Sequence, residues 1–203
     1  MRSWPRSPPG NQKTILDCVD ETFAEAFVNA RHTVLGCALR PFSVWHSFAL
    51  KLAESPFALT GDMTLKIDFP ALHVAVEICR RGYDPELLAL KAARSPLRFR
   101  FRMARFKGGY TRQLSAYFAY LRDFRSGPEH FWDSDLPPSA VESELILVGR
   151  MIRLAGMSKR EAWETPLGEA MWLSVALIEA GGSRSNLLNL AEIKAMKAAG
   201  WLK

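Results

Sequence analysis

The chain has 203 residues and a mass of 22.8 kDa, with 48% hydrophobic and 24% charged residues, a balance that excludes a disordered or fibrous polymer and supplies one ample core. The net charge of +6 has a single source: residues 91–112 hold Lys91, Arg94, Arg98, Arg100, Arg102, Arg105, Lys107 and Arg112 with no acid among them, and taking these eight from the 27 basic residues leaves 19 against 21 acids. Such a focused cationic segment points to a partner, whereas diffuse charge mainly affects solubility. Cys18, Cys37 and Cys79 are odd in number and widely spaced, which excludes a disulfide framework or zinc ribbon and predicts reduced, buried thiols.

In chain order, residues 1–13 are rich in proline and glycine and predict a flexible arm. Its basic start has no apolar stretch behind it, so no secretory signal is expected. Val19, Phe23, Ala26, Phe27 and Ala30 then recur at helical spacing over 17–31, with Gly36 where such a helix would stop. Pro41 suits a first helical turn ahead of Phe42, Trp45, Phe48, Ala49 and Leu52, and Ser55-Pro56 closes that segment.

Asp68-Phe69-Pro70 starts the next helix, which turns Leu72, Ala75, Val76 and Cys79 inward and stops at Gly82. Asp84-Pro85-Glu86 carries the signals of another start. Tyr110 to Phe124 places Leu114, Tyr117, Phe118 and Leu121 on one face. After a break at 126–128 and a loop through Pro137-Pro138, Ser139 to Glu142 and Ser158 to Glu161 read as capping boxes. Thr165-Pro166 opens a helix lined by Ala170, Leu173, Ala176, Leu177 and Ala180 and ending at Gly181-Gly182, and Asn189 to Glu192 offers a last one. The expectation is an all-α fold: a single compact multi-helix domain with a flexible arm at 1–13, a helical core at 14–125 containing the basic segment 91–112, and a C-terminal helical subregion at 139–203 packed on the core.

The run from Arg94 to Lys107 alternates cations with aromatics, and two geometries are open. A strand would put Leu97, Phe99, Phe101 and Met103 opposite Arg98, Arg100 and Arg102; a helix would bury Leu97, Phe101 and Ala104 and leave Arg98, Arg102 and Arg105 as a stripe. The plain reading is an apolar inner face under a solvated arginine face. The functional reading makes Arg98, Arg100, Arg102, Arg105, Lys107 and Arg112 a partner-binding face, for an acidic protein or, as the alternative, for nucleic acid through 94–112.

His73 and Glu77 stand one helical turn apart, but no dependable second ligand pair accompanies them, and the plain reading of a histidine on an apolar face is a core residue. His32 near Cys37, and His130 beside Phe131-Trp132, lack an orienting acid in a recognisable motif. Phosphate-cradling and acyl-transfer motifs do not occur. No catalytic residue, metal ligand or cofactor site is predicted, and no stretch approaches the ~20 apolar residues of a membrane span.

Several blocks carry a resemblance. Leu35-Gly36-Cys37-Ala38-Leu39-Arg40-Pro41-Phe42-Ser43-Val44-Trp45-His46, then Glu54-Ser55-Pro56-Phe57, then Asp68 through Cys79, resemble the first half of small tail-region proteins of tailed bacteriophages and prophages, of the tail assembly chaperone kind. Tyr117-Phe118-Ala119-Tyr120, Pro128, Phe131-Trp132 and Glu161 through Trp172 up to Glu179-Ala180-Gly181 resemble the second half. The resemblance spans most of 23–182. It implies non-enzymatic work in virion morphogenesis in the host cytoplasm, binding another phage tail or virion protein. The chain departs from the pattern in its basic segment from Lys194 to Lys203, where such proteins often finish in an acidic tail, which puts a shared tail-end partner in doubt.

Overall fold

The computed structural model describes residues 31–58, 67–105, 109–125, 127–128, 141–182 and 200. The expected arm, the helix from Asp17, Ser139 of the first capping box, the segment at Asn189 to Glu192 and all of Lys194 to Lys203 but residue 200 lie outside these residues, and Glu142, the other member of that box, immediately precedes a helix without a side-chain cap. Apart from one small hairpin the architecture is helical, as expected.

The hairpin corrects the reading of Gly36 as a helix stop. Strands β1 (Thr33–Val34) and β2 (Cys37–Ala38) pair antiparallel, with Thr33 opposite Ala38 and Val34 opposite Cys37. Both turn residues are left-handed, Leu35 at φ 50° and Gly36 at φ 69°. A two-residue hairpin of right-handed twist requires that geometry, and it is uncommon for leucine. The Leu35 N–H donates to Gln113 Oε1 at 2.7 Å, which secures the turn from outside.

Helix α1 (Val44–Leu52) begins three residues after Pro41, because Ser43 caps it. Its residues Trp45, Ala49 and Leu50 lie in the centre of the core, while Leu52 is exposed. Helix α2 (Phe69–Cys79) starts where expected: Asp68 Oδ1 accepts from Ala71 N–H at 3.0 Å, Pro70 fills the first turn, and Leu72, Ala75, Val76 and Cys79 are wholly buried.

Asp84-Pro85-Glu86 does not start a helix directly. The chain turns there, Leu87 adopts φ 57°, and α3 (Leu88–Ala93) follows. The Asp84 carboxylate still supplies capping, accepting from Ala89 N–H in the first turn of α3. Helix α4 (Pro96–Arg105) contains the arginine run, and α5 (Tyr110–Phe124) buries Tyr117, Tyr120, Leu121 and Phe124. Phe118, expected on the inward face of α5, is 45% exposed.

Helices α6 (Ser143–Ala155), α7 (Lys159–Glu164) and α8 (Leu167–Ala180) pack on one another and on α1. Gly156, at φ 67°, ends α6 in the left-handed position that favours glycine. The second capping box forms as expected: Ser158 N–H donates to Glu161 Oε2 at 2.9 Å and Glu161 N–H to Ser158 Oγ at 3.3 Å. In α8 the buried residues are Leu167, Gly168, Ala170 and Ser174, whereas Ala176 and Ala180, expected on the packed side, are exposed.

Aromatic packing, a buried carboxylate and a backbone bridge join the last helices to the earlier part of the chain. Trp163 of α7 meets Trp45 edge-on at 5.9 Å and lies parallel to Tyr83 at 6.0 Å. Glu144 of α6 is buried and accepts from Ser47 Oγ at 2.6 Å and Lys51 Nζ at 2.7 Å. The backbones at Ser43 and Pro166 form an antiparallel bridge, with Val44 N–H on Thr165 O at 3.0 Å and Leu167 N–H on Phe42 O at 2.8 Å.

Candidate functional site

The basic segment from Pro96 is a helix, rotated about its axis from the orientation expected. Proline at the first position, with Phe99 N–H bonded to Ser95 O, opens α4 as proline openings usually do. Phe99 then turns inward, edge-on to Phe69 at 5.7 Å and to His73 at 5.5 Å on α2. Leu97, 76% exposed, Phe101, 63% exposed, and Ala104 lie on the exposed side of the helix.

The cause is Glu77. Its side chain is 1% exposed in the middle of α2, and a carboxylate so placed needs cations. Arg102, 11% exposed, donates through Nη2 to Glu77 Oε1; Arg80 Nε reaches Oε2 at 3.1 Å and Arg98 Nη1 at 3.4 Å. Pairing this buried charge outweighs burying Leu97 and Phe101, each of which would contribute roughly 1.5–3 kcal/mol.

The result is a groove between α2 and α4 of about 520 Å³, lined by Glu77, Arg80, Leu97, Arg98, Phe101 and Arg102. Three guanidiniums face one carboxylate, so the groove carries two surplus positive charges. Among the described residues, Arg102 Nη1 is buried with no hydrogen-bond partner, and so are both ring nitrogens of His73. Burial, reinforced by the charge of Arg102, lowers the His73 pKa and favours the neutral ring.

Of the predicted site residues, the structure brings Arg98 and Arg102 together and adds Arg80, which sequence reasoning missed. Arg100 is exposed, two positions from Arg98 and hence across the helix. Arg112 is exposed on the first turn of α5. Arg105 ends α4, with its side chain outside the described residues, and Lys107 lies outside them altogether. The signal for Arg80 was the polar row His73, Glu77, Arg80, at helical spacing in an otherwise apolar helix.

A second cavity, of about 310 Å³, is lined by Arg40, Pro41, Ser43, His46, Gly82, Glu164, Pro166 and Glu169. Ser43 Oγ lies 3.2 Å from His46 Nδ1, a nucleophile-and-base distance, but the pair is a helix cap. Ser43 N–H donates to Nδ1 at 3.0 Å, Pro41 O lies 3.1 Å from the same nitrogen, and Nε2 donates to Arg81 O at 2.6 Å. Burial lowers the His46 pKa to about 4 despite its contacts with the Arg81 and Pro41 carbonyls. The lone pair a base would use is already taken by Ser43 N–H.

Among the described residues no three His, Cys, Asp or Glu side chains gather to hold a metal ion, and no helix is long and apolar enough to cross a membrane. In comparisons with protein-family models, curated proteins and solved structures, the chain finds no match.

Proposed function

We propose that the protein is a non-enzymatic virion morphogenesis factor of a tailed phage or prophage, working in the host cytoplasm as an assembly factor that binds another tail protein. The observation that carries this reading is the outward position of Leu97 and Phe101 on α4, a helix held by buried ion pairs. Apolar side chains displayed on a stiff element lose little conformational entropy when a partner covers them, and flanking arginines speed and orient the encounter. The resemblance of the blocks at 35–46, 68–79 and 161–172 to phage tail-region proteins supplies the class of partner. Commitment of Ser43 and His46 to capping favours binding over catalysis.

The test is co-expression with the products of adjacent tail genes. A complex that survives gel filtration and is lost with Leu97→Asp or Phe101→Asp supports the reading. A neighbourhood without tail genes, or a complex indifferent to both changes, overturns it. The nucleic-acid alternative would use the same Arg98 and Arg102, with phosphate in place of a carboxylate. Affinity for DNA or RNA that is strong at low salt and falls steeply as salt rises would favour that alternative.

A further inference from the structure

We propose that the groove between α2 and α4 reads carboxylates: it takes an acidic segment of the partner protein, with an aspartate or glutamate on Arg98 and Arg102 and a neighbouring apolar side chain between Leu97 and Phe101. This rests on the reading of α4 as a docking face and adds the chemistry of what docks. Charge complementarity selects the occupant. Glu77 neutralises one of three guanidiniums, and the surplus lies in a groove whose walls are partly apolar.

Donors remain for a second carboxylate. Each guanidinium has five N–H bonds, yet Arg98 reaches Glu77 only through Nη1 and Arg80 only through Nε. Both side chains are partly exposed, at 46% and 36%, and both line the groove. Arg102, which also lines the groove, has its Nη1 buried without a hydrogen-bond partner among the described residues, a cationic donor left unsatisfied. Glu77 therefore occupies part of a carboxylate site from within, and an incoming carboxylate completes it with charge-assisted bonds.

The same geometry disfavours a nucleic-acid strand, which needs a cationic track beside successive stacking rings. Only Phe101 of the α4 rings is displayed; Phe99 is turned against Phe69 and His73.

The experiment uses the full chain and fluorescence anisotropy with three probes: a labelled peptide repeating Asp-Leu-Glu-Phe, its Asn-Leu-Gln-Phe counterpart, and a single-stranded DNA of equal charge. The acidic peptide is expected to bind most tightly, with affinity falling about tenfold for Arg98→Gln and similarly for Leu97→Ser, two changes at exposed positions that leave the fold intact by circular dichroism. Equal binding of the amide peptide, tighter binding of DNA, or indifference to Arg98→Gln overturns the proposal. A tail-gene partner that binds regardless of Arg98→Gln refutes the carboxylate chemistry and leaves the docking face standing. Binding of the acidic peptide without any tail-protein complex supports the carboxylate site and removes the morphogenesis reading.

Discussion

Arg102 lies against Glu77 across the α2 and α4 interface, one side chain 11% and the other 1% exposed, and this pairing decides which side of the arginine helix faces the protein. Removing one partner of a buried ion pair strands the other charge, which costs more than the pair itself contributes. Glu77→Gln is therefore expected to destabilise the fold by about 3 kcal/mol in urea unfolding. Glu77→Leu combined with Arg102→Met, which replaces both charges with apolar groups, should recover most of that loss. A single Glu77→Gln protein as stable as the parent would contradict the assignment.

The rotated helix makes a second, opposite expectation for its aromatics. Phe101→Ser and Leu97→Ser should change stability by no more than about 0.5 kcal/mol, as exposed substitutions usually do. Phe99→Ala removes a ring packed on Phe69 and His73 and should cost on the order of 2 kcal/mol, less than a fully buried phenylalanine. Paired melts of the three variants check the order.

How far the sequence disclosed this arrangement depends on where the deciding partner lay. The starts of α2 and α7, and the extent of α5, were legible because Asp68, Ser158 with Glu161, and the Tyr117-to-Leu121 spacing act within one or two turns. The hairpin was hidden because Leu35 stands where asparagine or glycine normally announces a left-handed turn, and its Gln113 support comes from a distant helix. The alternation in α4 produces two neighbouring stripes, about 100° apart on the helix, of nearly equal claim to the interior. Only Glu77, brought from α2 by tertiary folding, chooses between them.

His46 gives a pH dependence with a definite sign. Its folded pKa, near 4, is below the ordinary 6.5, so between those values the unfolded chain binds more protons and stability rises with pH. The contribution is complete above pH 6.5 and is lost as pH falls towards 4, on the order of 3 kcal/mol in all. Arg40 adds to the lowering and Glu164 opposes it. The lowered pKa of His73 acts in the same direction below pH 6.5. Melting temperatures across this range should show the slope, and His46→Gln should flatten it.

Cysteine chemistry offers an independent probe of the core. Burial pushes the Cys79 thiol up to about 11, beside the Tyr117 hydroxyl at 3.4 Å, whereas Cys37 is partly exposed on the hairpin. In a Cys18→Ser background, Ellman's reagent should titrate Cys37 in the native protein and Cys79 only after denaturation. Rapid reaction of both thiols without denaturant would mean that α2 and α5 do not pack as described.

The backbone bridge between Ser43 and Pro166 has a consequence for the order of events during synthesis. The N–H of Val44, at the head of a helix that runs through the middle of the core, takes its acceptor from Thr165, more than a hundred residues later. While the polypeptide is still emerging from the ribosome, that helix has neither this acceptor nor the Trp163 ring that covers Trp45. The early segments therefore wait, partly exposed, until translation has passed Leu167. An arrested nascent chain ending before that point should be digested by protease throughout 31–125, and one extending beyond α8 should resist.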